Sequence, residues 1–378
     1  EFEDANQYLF KAEQAYQTNF SAHPSFVLDD LFREIMTLNS IAEAAVKLGQ
    51  FRTSLGYHQR SFEKLDNQPL VNWRLALDMT SAAETQRIAD EIAMVSHAPG
   101  KTILLEENHE KVQTLIEGLS EYLSQEQWMC IKARAVSAFS GRWPQSLSAD
   151  ACLENPDEAA AVILGTSDDG FVHKIVNAFP EDTKVLQAYG VYALRNNKKD
   201  GLTYTENALR VDTSDPILHA LHAKLSRNDI AGALNSIETA LSFWPDEPGW
   251  HAMASDFLTR MGDLEKASHH ISQAIRYEPD DAKLWEKSAE IKLQSNDLAH
   301  AKFDLEKSAQ MQSNNPQVWI KMADINRRMG QVSEAITNMQ TASHLAPNDL
   351  QIASKEIRLL IDQKQYKEAE EKATEILN

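Results

Sequence analysis

Cysteine is nearly absent: Cys130 and Cys152 are the only two in 378 residues. So few thiols exclude the dense disulfide framework of a small secreted domain and do not fix the redox compartment. Cys130, beside Trp128 and Met129, reads as a core or helix-flanking thiol. No apolar run approaches the roughly 18 residues that a membrane-crossing helix needs, and no charged-then-apolar leader opens the chain. Basic charge is scarce too. Lys and Arg number 37 against 56 Asp and Glu, giving a formal net charge of −19. Duplex nucleic acid and anionic membrane surfaces call for a basic footprint, so neither is expected as the main partner. The chain lacks an initiating Met and starts Glu1-Phe2, which reads as a piece of a longer protein whose anchor or catalytic domain lies elsewhere. The cytoplasm is the expected location, with a periplasmic or membrane-tethered domain as the alternatives.

Catalytic motifs are missing as well. Pro99-Gly100-Lys101-Thr102 has the ending of a phosphate loop, but Val95 stands where the opening glycine is required. Without that glycine-rich nest the backbone N–H groups cannot wrap a phosphate. Ser61-x-x-Lys64 lacks every companion motif of the acyl-transfer enzymes that use the pattern. His219 and His222, and the adjacent His269 and His270, have no third metal ligand at a recognisable spacing. No catalytic residue, metal or cofactor is therefore expected, and the chain reads as a non-enzyme.

What the sequence does have is a period. Ala233, Ala267, Ala301, Ala335 and Ala369 recur at one constant interval. A turn pair precedes each: Asn228-Asp229, Gly262-Asp263, Asn296-Asp297, Gly330-Gln331 and Lys364-Gln365. Pro245, Pro279 and Pro347 keep the same register, and Trp285 and Trp319 share the period. Between turn pairs the apolar residues fall at helical spacing, as in Trp285, Ala289 and Leu293. The Asn-Asp and Gly-Asp pairs end one helix and cap the next. Proline closes the second helix because it cannot continue the hydrogen bonding. Each unit is thus an antiparallel helix pair with an exposed apolar flank, which neighbouring units bury by stacking. The alanines mark close helix crossings, and the tryptophans are expected in the inter-helix packing stripe.

These units resemble tetratricopeptide repeats, which have a period of about 34 residues and a signature of an early aromatic in the first helix, small residues in the second and a closing proline. The resemblance implies an all-α, right-handed solenoid of stacked helix pairs. Units run at about 182–213, 214–247, 248–281, 282–315, 316–349 and 350–378. The N-terminal half is helical but more divergent, with one similar unit at 35–68 and a connector of loop and helix at 141–181. The expected domains are therefore 1–140, 141–181 and 182–378.

Such arrays bind a peptide segment or helix of a partner protein on the concave surface, and a protein-interaction scaffold is the expected function. The alternative is a partner-sensing module of a larger, membrane-anchored signalling or secretion-assembly protein. The pattern of Lys and Asn with which one kind of array clamps chaperone tails is absent: those positions hold Leu218 and His222, Ala252 and Asp256, Glu286 and Glu290, Ile320 and Asp324. Asp256, Glu290 and Asp324, with Glu286 one turn before Glu290, instead suggest a ladder of carboxylates facing a basic partner. Arg260 and Arg328 stand four residues after Asp256 and Asp324, the spacing of an ion pair along one helix. Trp250 stands one residue ahead of the place that the period, counted back from Trp285, would give it, so Ser255 rivals Asp256 for the first rung.

Overall fold

The computed structural model describes residues 124–140, 155–226 and 228–377, together with Arg142, Trp143, Cys152 and scattered positions between 37 and 117. The phosphate-loop-like turn at 99–102 and the Ser61-x-x-Lys64 pair lie outside the described residues, as does most of the unit expected at 35–68. Every regular element among the described residues is helical. In chain order they are α1 (Gln125–Ser140), α2 (Pro156–Gly165), α3 (Asp169–Ala178), α4 (Thr183–Arg195), α5 (Gly201–Val211), α6 (Pro216–Leu225), α7 (Ile230–Phe243) and α8 (Pro248–Met261). There follow α9 (Leu264–Tyr277), α10 (Ala282–Gln294), α11 (Leu298–Met311), α12 (Pro316–Arg328), α13 (Val332–Leu345), α14 (Leu350–Asp362) and α15 (Tyr366–Leu377).

The helix starts are written in acidic and amide side chains. Asp215 accepts from the N–H groups of Ile217 and Leu218, Asp263 from Lys266, Asp281 from Lys283, Asp297 from His300, Asn315 from Gln317 and Asp349 from Gln351 and Ile352. Each satisfies a donor that the first helical turn leaves without a partner. Many of the acids behind the negative charge are therefore part of the fold's own bonding.

The ends of the first helices repeat just as regularly. Gly262, Asn296, Gly330 and Lys364 all have positive φ, at 83°, 62°, 77° and 59°. The following N–H then reaches back across the last turn: Asp263 to Leu258 O (3.0 Å), Asp297 to Lys292 O (2.8 Å), Gln331 to Asn326 O (2.8 Å) and Gln365 to Leu360 O (2.9 Å). This left-handed closure satisfies a terminal carbonyl and reverses the chain. Glycine and asparagine tolerate that backbone; Lys364 carries a Cβ into it at a cost.

The pairs pack as the period implies. α4 lies on α5, α6 on α7, α10 on α11, α12 on α13 and α14 on α15, while α5·α6, α9·α10, α11·α12 and α13·α14 join successive pairs. Ala233, Ala267, Ala301 and Ala335 are fully buried and Ala369 almost so. Around Ala301 the packing partners are Ala289, Leu305, Ala309, Val318, Met322 and Ile325. A β-carbon is all that such a crossing admits.

The chain divides into two compact units, 1–250 and 251–378, with the division inside α8. The stretch 141–181, expected as a connector, contains α2 and α3. The thiol reading of Cys130 is overturned: Cys130 on α1 and Cys152 ahead of α2 form a disulfide, with Cα atoms 5.5 Å apart and a sequence separation of 22. Two isolated cysteines carry no spacing signature in sequence; the packing of α1 on α2 is what brings them together.

Candidate functional site

The face formed by the first helices of the second unit carries the candidate residues. Asp256, Glu290 and Asp324 sit at equal places on α8, α10 and α12, and each is about half exposed. Ser255 is buried at 1% exposure, whereas Asp256 faces solvent beside Lys287. The acids do not stand alone. Lys287 Nζ reaches Asp256 Oδ1 at 2.6 Å across 31 residues. Lys321 Nζ reaches Glu290 Oε1 at 2.5 Å, again across 31 residues. Lys287, Lys321 and Lys355 are themselves one repeat apart. At Asp256 and Glu290 the carboxylates therefore form acid–lysine rungs, each tying one repeat to the next.

The third rung is open. Asp324 has Arg327 at 4.0 Å as its ion-pair neighbour among the described residues, and Lys355, at the matching place, makes no ion pair there. The within-helix pairs expected from Arg260 and Arg328 do not form. Asp256 turns to Lys287, which leaves Arg260 exposed, and Arg328 Nη2 donates to Asn296 Oδ1 at 2.7 Å instead. Arg328 is thus a strut to the preceding repeat's turn. Glu286 is also committed to the fold. It accepts from Ser308 Oγ at 3.2 Å and Asn315 Nδ2 at 3.0 Å, with Lys321 at 4.0 Å and only 17% of its side chain exposed.

Aromatic rings line a second stripe. Trp285 and Trp319, expected inside the packing stripe, are half-buried at its rim. Their indole N–H groups donate to the carbonyls of Pro279 (2.8 Å) and Ser313 (3.0 Å), each six residues back. His219 makes the same bond to Thr213 O at 2.9 Å. His251, one repeat before Trp285, holds the equivalent ring position and stacks on Tyr277 at 5.8 Å. Trp250 is instead fully buried, edge-on to Trp244 at 4.8 Å.

His251 Nδ1 also meets His270 Nδ1 at 3.1 Å. One ring must donate and the other accept, so a second proton has no place between them. Burial, then the neighbouring His251 and His269, pull the His270 imidazole down from 6.5 to about 4. In the first unit burial likewise lowers His222, whose Nδ1 lies 2.8 Å from Ser236 Oγ. Among the described residues no group of three or more His, Cys, Asp or Glu is arranged to hold a metal, and no described helix is long and apolar enough to cross a membrane.

Helix pairs at a 34-residue period, a small residue at each crossing, left-handed closures at Gly262, Asn296, Gly330 and Lys364, and rings at His219, His251, Trp285 and Trp319 are the features of tetratricopeptide repeats. Among the described residues the chain is built of stacked helix pairs of this kind. No protein-family model and no curated protein matches the chain. Among solved structures it is similar to that of the APC/C hetero-tetramer Cut9–Hcn1, at 12% identity over 93% of this chain and 81% of the other, with a TM-score of 0.48. YrrB, described as a TPR protein with an unusual peptide-binding site, is 13% identical over 51% of this chain and 97% of its own, with a TM-score of 0.44. PilF of Pseudomonas aeruginosa is 19% identical over 51% and 88%, with a TM-score of 0.43.

Proposed function

We propose that the chain is a non-enzymatic scaffold whose partner protein lays a peptide segment or helix along the first-helix face of residues 251–378. In solenoids of this type that face is the concave one. The observation that carries the reading is the open rung at Asp324 and Lys355, at the end of a ladder whose other rungs are closed by lysine. A partner arginine supplies what Arg327 at 4.0 Å does not: a planar fork that bonds a carboxylate through two N–H groups. Glu290 and Asp256 then become available by exchange, because an exposed lysine–carboxylate pair holds its place by no more than roughly 1 kcal/mol. The partner segment is accordingly basic. A chaperone tail of the clamped kind is not the partner, since Ala252 and Ile320 stand buried at clamp positions and offer no positive charge.

An arrayed peptide library probed with the full chain tests this. Arg-containing peptides should be enriched, and their association should slow as salt rises. Glu290→Lys with Asp324→Lys should lower the association rate while leaving helix content unchanged. Enrichment of acidic peptides, or binding indifferent to both salt and the double reversal, would refute the assignment.

A further inference from the structure

The disulfide carries an inference of its own. Cys130 and Cys152 are 5% and 3% exposed, so an attacking thiolate has little access to either sulfur. Their surroundings form a built corner. Ser137 Oγ on α1 reaches Ala161 O on α2 at 3.5 Å, and the Trp143 N–H donates to Gly165 O at 3.1 Å. A β-carbon on Gly165 would meet Trp143 N at 2.5 Å and Ser137 Oγ at 2.9 Å, so Trp143 is pressed onto the end of α2. On α1, the 8%-exposed Arg134 grips Glu84 with two nitrogens, Nη2 at 2.8 Å and Nε at 3.1 Å, and has Asp157 of α2 at 3.7 Å. The sulfurs thus meet inside a packed junction of three segments, where a bond adds a constraint and nothing invites its exchange.

We propose that Cys130–Cys152 is a structural clasp, and that the chain folds and works in a compartment that oxidises thiols, such as a periplasm, the secretory route or the cell exterior. Disulfides persist there and are held reduced in cytosol. Closure needs an external disulfide oxidant. The two cysteine thiols lose two protons and two electrons, the Sγ–Sγ bond forms, and the oxidant leaves as two thiols. The expected cytoplasmic location is replaced accordingly.

Two measurements on the full chain test the clasp. In source cells quenched with acid and alkylated at once, neither cysteine of the native protein should take label until a reductant is added. In hydrogen exchange, reducing the purified protein should speed amides within 125–165 by roughly tenfold or more relative to the oxidised form, because the closed loop no longer restrains local opening. Cys130→Ala with Cys152→Ala should reproduce that change, and the reduced wild-type chain gives the same readout if the variant does not fold. Two alkylated thiols in the quenched cells, or identical exchange across 125–165 in both redox forms, would overturn the proposal.

Discussion

Carboxylates at several helix starts and the His270 imidazole set the pH response at single residues. Backbone N–H bonds hold the Asp263 and Asp297 carboxyls below their ordinary value, which makes their capping strongest when ionised. Their folded pKa is depressed, so the stabilisation is present above the unfolded carboxylate value and is lost as pH falls through the folded one. His270 follows the same sign by a different cause. The unfolded chain takes up a proton near 6.5, whereas the folded imidazole resists until about 4, so stability falls across that window on acidification. His270→Gln should flatten the decline between pH 6.5 and 4, seen as a smaller shift of the urea midpoint than in the wild type. An equal shift would mean that the titration lies elsewhere. Single residues were also where sequence reading was weakest. Lys287, Lys321 and Lys355 keep the period as strictly as the alanines, but the pairs that Lys287 and Lys321 make span 31 residues and lie beyond any within-helix window. A search for residues opposite the acids in the next repeat would have found them. Asp256 and Ser255, by contrast, differ in burial, which spacing alone does not give.

At the scale of the helix pair, sequence and structure agree closely, because a strict repeat writes each constraint several times over. The alanine positions, turn pairs and capping acids were all legible; the left-handed closures show why the turn pairs take the form they do. Lys364 breaks that rule at φ 59° where Gly262 and Gly330 obey it. Lys364→Gly should stabilise the α14–α15 pair by about 0.5–1 kcal/mol, the relief of left-handed strain less the added freedom of the unfolded chain. A raised thermal midpoint with unchanged helix content is the expected reading. Ala301→Leu works in the opposite direction. It pushes three carbons into a crossing lined by Ala289, Leu305 and Val318, and overpacking of this kind costs roughly 1–3 kcal/mol. Hydrogen exchange should accelerate first in α10 to α13 and leave α4 and α5 as they were, since each pair packs only on its neighbours. Trp250 is fully buried and Trp319 packs against two apolar clusters, and one detail of the tryptophans lay beyond the sequence. Periodicity gives the helix face to which an indole belongs, but not that its N–H has a carbonyl six residues back to satisfy.

For the whole molecule, the negative charge divides into acids that cap helices, acids that join repeats through lysine, and those left over for solvent or a partner. Net charge alone could not separate these roles. The disulfide was illegible for the converse reason: α1 packing on α2 decides it, and no cysteine spacing announces that contact. The acid–lysine rungs have one further implication, for how such a chain changes length. Each rung joins a residue of one repeat to a residue of the next, so it is indifferent to which neighbour supplies the lysine. Excising 282–315 whole would bring Lys321 to the place that Lys287 holds, opposite Asp256, and would set the start of α12 directly after the Asp281 cap that follows α9. The shortened chain should fold, with its thermal transition lowered but still cooperative. Excising 282–314, one residue fewer, would keep Asn315 as the α12 cap but leave an extra residue between α9 and α12, and should lower the thermal transition further than the whole-repeat excision. Across 251–378 length is therefore most readily changed in whole repeats, because only a whole repeat hands each lysine on to the next acid.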